Sequence, residues 1–153
     1  GPGEEELRKE FQEYTRIFSD RNKGYVLSGI IVSGIGEGKY YMSLPPYKEQ
    51  FNRHLGFEPY PGTLNIRLSP SSIPLRKKID ALDWIRIKGF STDGRTFGDA
   101  RCIPCRIGDI PCSIVVPGRT HYPEDIIEVI APVALRRKLG VEDSDSITVE
   151  VGP

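Results

Sequence analysis

Residues 63–68 read TLNIRL, and their alternation is strict: Leu64, Ile66 and Leu68 fall on one side of an extended chain, Thr63, Asn65 and Arg67 on the other. A helix would scatter these positions around its axis. A strand sorts them into one apolar and one polar face, because successive side chains point to opposite sides. PYPG at 59–62 supplies a tight turn before this strand, and SPSSIP at 69–74 reads as a loop after it. The same texture holds from Gly24 onward, where short extended runs alternate with Gly and Pro. They are YVLSGIIVSG from Tyr25, KYYMS from Lys39, WIRIKGF from Trp84, RTFGDARCIPCRI from Arg95, IPCSIVVP from Ile110, IIEVIAP from Ile126 and SITVEV from Ser146. Thr92-Asp93-Gly94 is a hairpin signal between two of these runs.

Two segments of this domain carry helical spacing. In PPYKEQFNRHL, residues 45–55, Leu44, Tyr47, Phe51 and Leu55 share a face, Pro46 suits a first turn, and Gly56 ends the helix. Pro132 opens a second helix, VALRRKL, closed by Gly140. Many short strands with two helices predict a mainly β, compact barrel over residues 24–153 rather than a parallel doubly wound sheet. Ahead of it, residues 1–23 form a separate unit. Leu7, Phe11, Tyr14 and Phe18 make one stripe of an amphipathic helix with acids in its first turn, followed by a linker. Gly1-Pro2-Gly3 is read as a tag remnant outside the fold argument, and the helix either packs on the main domain or is the tail of an upstream domain.

Charge narrows the choice of partner. There are 21 Lys plus Arg against 21 Asp plus Glu, so the chain has no basic bias toward nucleic acid, although a local anion site is compatible with this balance. No apolar run reaches the length of a membrane span and no signal-peptide layout is present, so a cytoplasmic protein with no membrane partner is expected. Cys102, Cys105 and Cys112 form an odd set that argues against a secreted disulfide framework. The Cys102-x2-Cys105 spacing suits zinc, but a regular strand sends these two to opposite faces, and buried thiols are the expectation.

Several positions can carry chemistry. Gly34, Gly36 and Gly38 alternate just before Lys39, yet Ser33 stands where a Walker A loop needs Gly, and the segment leads into a strand rather than a helix. The glycines are either a ligand-free turn or a backbone cradle for an anion that Lys39 neutralises. Thr63 and Asn65 project their oxygens to one side, either as solvent-facing strand residues or as ligands to Mg²⁺ completed by phosphates and water. Glu128 sits between Ile126 and Ile130 on an apolar strand face and needs a partner, such as a ligand hydroxyl. Arg136 and Arg137 form either a solvated helix face or a phosphate contact. His54 and His121 are assigned to a helix surface and a loop.

Taken in order, SGIGEGKYYMS, LGFEPYPGTLN and IVVPGRTHYPEDIIEVIAPVALRRKLG closely resemble the archaeal-type CTP-dependent riboflavin kinases from about Gly29 to the C-terminus. The resemblance implies a small six-stranded cradle-loop β-barrel with short helices. It also implies transfer of the γ-phosphoryl group of CTP to the 5′-hydroxyl of riboflavin, giving FMN and CDP. By motif, Ile35, Gly36, Glu37, Gly38, Lys39 and Tyr40 line the cytidine nucleotide together with Val133, Ala134, Leu135 and Arg136. Thr63 and Asn65 hold Mg²⁺, and Thr120 and Glu128 contact the flavin. Glu128 is also the candidate base, and Lys39 the candidate neutraliser of developing charge. Ser144-Asp145 stands where relatives often show Gly-Asp, a turn variant expected to lie away from the site. Two rival classes share the architecture: a flavin- or nucleotide-binding module without turnover, and a DNA-binding regulator of the swapped-hairpin type.

Overall fold

The computed structural model describes residues 24–33, 43–118 and 123–152. The helix expected at 4–18 and nearly all of KYYMS fall outside them. The described residues form nine strands, β1 (Tyr25–Val32), β2 (Leu64–Leu68), β3 (Ile85–Ile87), β4 (Phe90–Thr92), β5 (Arg95–Phe97), β6 (Ala100–Ile107), β7 (Ile110–Pro117), β8 (Ile126–Ile130) and β9 (Ser146–Val151). Three α-helices accompany them, α1 (Pro45–Leu55), α2 (Ile73–Asp80) and α3 (Leu135–Leu139), with a 3₁₀ turn at Pro70–Ser72.

The main sheet runs β3-β6-β7-β8-β2-β1-β9, and β6 also pairs with β9. That second pairing, Cys105 opposite Val151 and Arg106 opposite Glu150, closes six antiparallel strands into a barrel and leaves β3 outside it on β6. Closure removes the unpaired edges that an open sheet would present. Gly29 makes one seam of the barrel possible. It faces Leu68 of β2 and Ile147 of β9, and a Cβ there would lie 2.2 Å from the Arg67 carbonyl oxygen.

The alternation in the sequence becomes the two faces of the barrel wall. Leu64, Ile66 and Leu68 join Leu27, Ile31, Ile103, Ile107, Ile114, Ile127, Val129 and Val149 in the interior. A second cluster lies outside the wall, where Tyr47 and Phe51 of α1 cover Ile87, Cys102, Val115 and Ile130. The helix is where its apolar stripe predicts, starting at Pro45 and ending on Gly56 in the left-handed region at φ 76°. Asp93 (φ 50°) and Gly94 (φ 75°) make the predicted turn between β4 and β5, whose Phe90 and Phe97 rings stack at 4.7 Å. Tyr47 meets Phe90 edge-on at 5.0 Å and donates its hydroxyl to the Gly98 carbonyl at 2.6 Å, which fixes α1 against this hairpin.

Several boundaries differ from the sequence reading: WIRIKGF and RTFGDARCIPCRI each break in two, the first into β3 and the start of β4, the second into β5 and β6. The loop expected over 69–74 is instead a 3₁₀ turn leading straight into α2, a third helix that was not foreseen. Its Pro74 acts as a first-turn residue rather than a breaker, and Ile79 seats in the barrel core. The buried Arg76 of α2 donates from Nη1 to the carbonyls of Pro123 (3.2 Å), Glu124 (2.9 Å) and Ile126 (2.7 Å), fixing the chain as it enters β8. The last helix is shorter than expected and spans Leu135–Leu139, with Ala134 as its extended N-cap and Gly140 at φ 65°. No described helix is long and apolar enough to cross a membrane.

Candidate functional site

On the outer face of the barrel wall, strand register lines up one residue from each of four adjacent strands. Val115 of β7 faces Glu128 of β8, Glu128 faces Asn65 of β2, and Asn65 faces Val32 of β1. The two polar members of this row are as hidden as core residues, with Asn65 and Glu128 each only 4% exposed. Arg67, on the same face of β2, is exposed. Asn65 is therefore not the solvent-facing strand residue that its alternation alone allows.

Thr63, half-buried just ahead of β2, hydrogen-bonds through its hydroxyl to Glu128 Oε1 at a long 3.4 Å. The Asn65 amide oxygen is fully buried and has no hydrogen-bond partner among the described residues. A buried acceptor left unpaired costs about 1–3 kcal/mol, so such an atom signals a missing partner rather than good packing. The donors gathered here are a hydroxyl, an amide oxygen and a carboxylate. That all-oxygen set fits a hard divalent cation that takes its remaining ligands from phosphates and water. No cluster of three or more His, Cys, Asp or Glu side chains suited to a metal occurs among the described residues. Thr63 and Asn65 thus fit Mg²⁺ only as partial ligands, which is the role the resemblance gives them.

Thr63 also lines a cleft of about 340 Å³ at the end of the barrel where β2 begins and β8 ends. Residues 60–64, Val129, Ala131 and residues 133–137 form its walls. Val133, Ala134, Leu135 and Arg136 all border this cleft, so the structure gathers the described part of the expected nucleotide segment beside Thr63. Leu135 contributes from the core side, being itself buried. Tyr60 and Arg137 border it too and belong to neither expected ligand set. Tyr60 is 43% exposed at the lip of the cleft, and its backbone N–H donates to the Ala131 carbonyl at 2.7 Å. A large aromatic beside a Pro-Gly turn was the available signal for it.

Arg136 is engaged in an ion pair. Its Nη2 lies 2.6 Å from Asp143 Oδ1 and donates to the Val32 carbonyl at 3.3 Å. Asp143 Oδ2 accepts a hydrogen bond from the Ser33 hydroxyl. Ser33 and Arg136 together hold the Asp143 carboxyl below the usual carboxylate range. The Ser144-Asp145 turn is consequently not remote from the site. It is bound to the end of β1 through Ser144 N–H to the Ile31 carbonyl (2.8 Å) and Ile31 N–H to the Asp145 carbonyl (2.9 Å).

Ile35, Gly36, Glu37, Gly38, Lys39, Tyr40 and Thr120 lie outside the described residues, as does His121. The cysteines match the expectation of buried thiols. Cys102 lies in the outer cluster, Cys105 and Cys112 face each other inside the barrel, and all three are free. Burial pushes the Cys102 thiol up to about 11. His54 is exposed on α1.

A family model described as "CTP-dep_RFKase: Domain of unknown function DUF120" matches residues 31–151. A protein named riboflavin kinase from Methanoregula boonei is 68% identical over 97% of this chain and 67% of its own length. Riboflavin kinases from Methanospirillum hungatei and Archaeoglobus fulgidus are 52% and 48% identical, again over 97% of this chain, and over 67% and 64% of their own lengths. The matched span runs from the end of β1 through β9 and contains the Thr63–Asn65–Glu128 row, the cleft and the Asp143 turn. On matches of this extent and identity, the chain belongs to the archaeal riboflavin kinase family of phosphotransferases.

Proposed function

We infer that this protein transfers the γ-phosphoryl group of CTP to the 5′-hydroxyl of riboflavin, producing FMN and CDP. The observation that carries this reading is Thr63, which borders the cleft and also bonds Glu128 beside the unpaired amide oxygen of Asn65. A donor in the cleft and an acceptor alcohol at Glu128 would then meet at this one strand row. CTP as the donor rests on the designation of the matching family.

Phosphoryl transfer asks a protein mainly for alignment and charge neutralisation, because its transition state is loose. Thr63 and Asn65 would hold Mg²⁺, which when bound supplies positive charge to the phosphate oxygens. The glycines at 34–38 would give backbone N–H groups to the phosphates, with Lys39 and Arg136 as neutralising cations. Glu128 would accept the alcohol's proton or grip the ribityl chain, and Thr120 would contact the flavin. Residues 133–136 would bound the cytidine.

The test is incubation of the protein with riboflavin and Mg²⁺ plus either CTP or ATP, reading FMN by chromatography. FMN with CTP is expected, and none above background would refute the reading. The double variant Thr63→Ala/Asn65→Ala should abolish Mg²⁺-dependent turnover while the fold persists. For Glu128→Gln, a fall in kcat at unchanged riboflavin affinity identifies a base, and loss of affinity alone identifies a grip.

A further inference from the structure

Asp143 lies in the connection between α3 and β9, outside every segment to which the proposed reaction assigns a role, yet its carboxylate joins one of them to the end of β1. One oxygen meets Arg136 of the cleft at 2.6 Å, and the other accepts from Ser33, the residue directly before Gly34. Its own position is set by backbone rather than by a flexible side chain. Ser144 takes the left-handed region at φ 75°, rare for a residue with a Cβ, and the Asp145 carboxylate accepts the Glu142 N–H at 2.7 Å to complete the turn. The turn is then bonded both ways to Ile31 of β1.

Such a pair does little for stability. The Arg136 and Asp143 side chains are 42% and 49% exposed, and ion pairs of this exposure contribute little. Geometry is what the arrangement supplies. Among the described residues, the hydrogen bonds of the Arg136 guanidinium use Nη2, which leaves Nε and Nη1 to meet another anion. An arginine already held at one end loses less rotamer freedom when it meets a phosphate.

We propose that Asp143 is a positioning residue that fixes Arg136 to Ser33, at the end of β1, and so sets the arginine for the phosphates of a nucleotide. This rests on the function proposed above, and the test separates the two. Binding of CDP with Mg²⁺ is measured by calorimetry, and KM for CTP and for riboflavin by FMN formation, for wild type, Asp143→Ala, Arg136→Ala and the double variant. Each single change should weaken CDP binding and raise KM for CTP about tenfold, with KM for riboflavin within about twofold of wild type. The double variant should match Arg136→Ala to within about twofold, because Asp143 acts through Arg136. Unchanged or tighter CDP binding by Asp143→Ala, or effects that multiply in the double variant, would overturn the proposal alone. A wild type that binds no cytidine nucleotide would overturn the functional reading and this proposal with it. Thermal melting checks each variant. Should Asp143→Ala not fold, Ser33→Ala removes one arm of the junction and should weaken CDP binding about threefold; no effect would overturn the proposal.

Discussion

At Asn65 and Glu128 the outer face of β2 and β8 is as buried as the inner face and opposite to it in chemistry. Toward the barrel axis, Ile66 and Ile127 are 1% and 2% exposed among other aliphatic side chains. Toward the outside, Asn65 and Glu128 are each 4% exposed, and the Asn65 amide oxygen has no partner among the described residues. Burying an aliphatic side chain stabilises the fold by about 1.5–3 kcal/mol, whereas burying an unpaired amide oxygen costs about 1–3 kcal/mol. The inner face therefore holds the barrel together, whereas the Asn65 position on the outer face is retained at the expense of stability, as expected of a site that waits for a ligand.

Substitutions on the two faces should separate these roles. The largest effect is expected inside. Ile66→Ala should cost about 2–5 kcal/mol, read as a lower Tm, while turnover per folded molecule stays within about twofold. Outside, Asn65→Leu should do the reverse, cutting FMN formation by about a hundredfold or more while Tm holds or rises. If Asn65→Leu destabilised the protein as much as Ile66→Ala, the contrast between the faces would collapse.

The thiols sharpen the same boundary. Cys102 under α1 has its pKa raised from 9.0 to about 11 by burial, so the folded state favours the neutral thiol. Its contribution to stability is complete below 9.0 and is lost as pH rises toward 11. Native protein at pH 8 should resist alkylation at Cys102, Cys105 and Cys112 and react fully once denatured; rapid native labelling would show that one of the faces opens. The smallest effect belongs to the turn beside the site. Ser144→Gly removes the left-handed strain at φ 75° and should raise stability by about 0.5–1 kcal/mol, checked by denaturant titration.

Much of the barrel was legible from local pattern. The TLNIRL alternation, the Tyr47–Phe51 stripe and the Asp93-Gly94 turn all describe relations within a few residues, and each survives intact. The helix Ile73–Asp80 was missed because Ser69, Pro70, Ser71 and Ser72 just ahead of it and Pro74 in its first turn look like loop chemistry, and only the docking of Ile79 into the core makes them a helix start. Arg76 was missed for a related reason. Its partners are backbone carbonyls 47 to 50 residues away, and no side-chain pattern marks them. The turn at Ser144 was placed away from the site because nothing local ties it to Ser33, its partner 110 residues earlier through Asp143.

The family and the strand-rich architecture, with an apolar and a polar side to β2, were thus determined by the sequence itself, because motif order and alternation are properties of the chain. Which outer positions become a site was decided by the tertiary structure. Asn65 and Arg67 share one face of one strand, yet only Asn65 is buried, facing Glu128 on one side and Val32 on the other. Alternation assigns a side chain to a face; its neighbours in register, Glu128 and Val32, come from strands distant in the chain, so this pairing exists only once the barrel has closed.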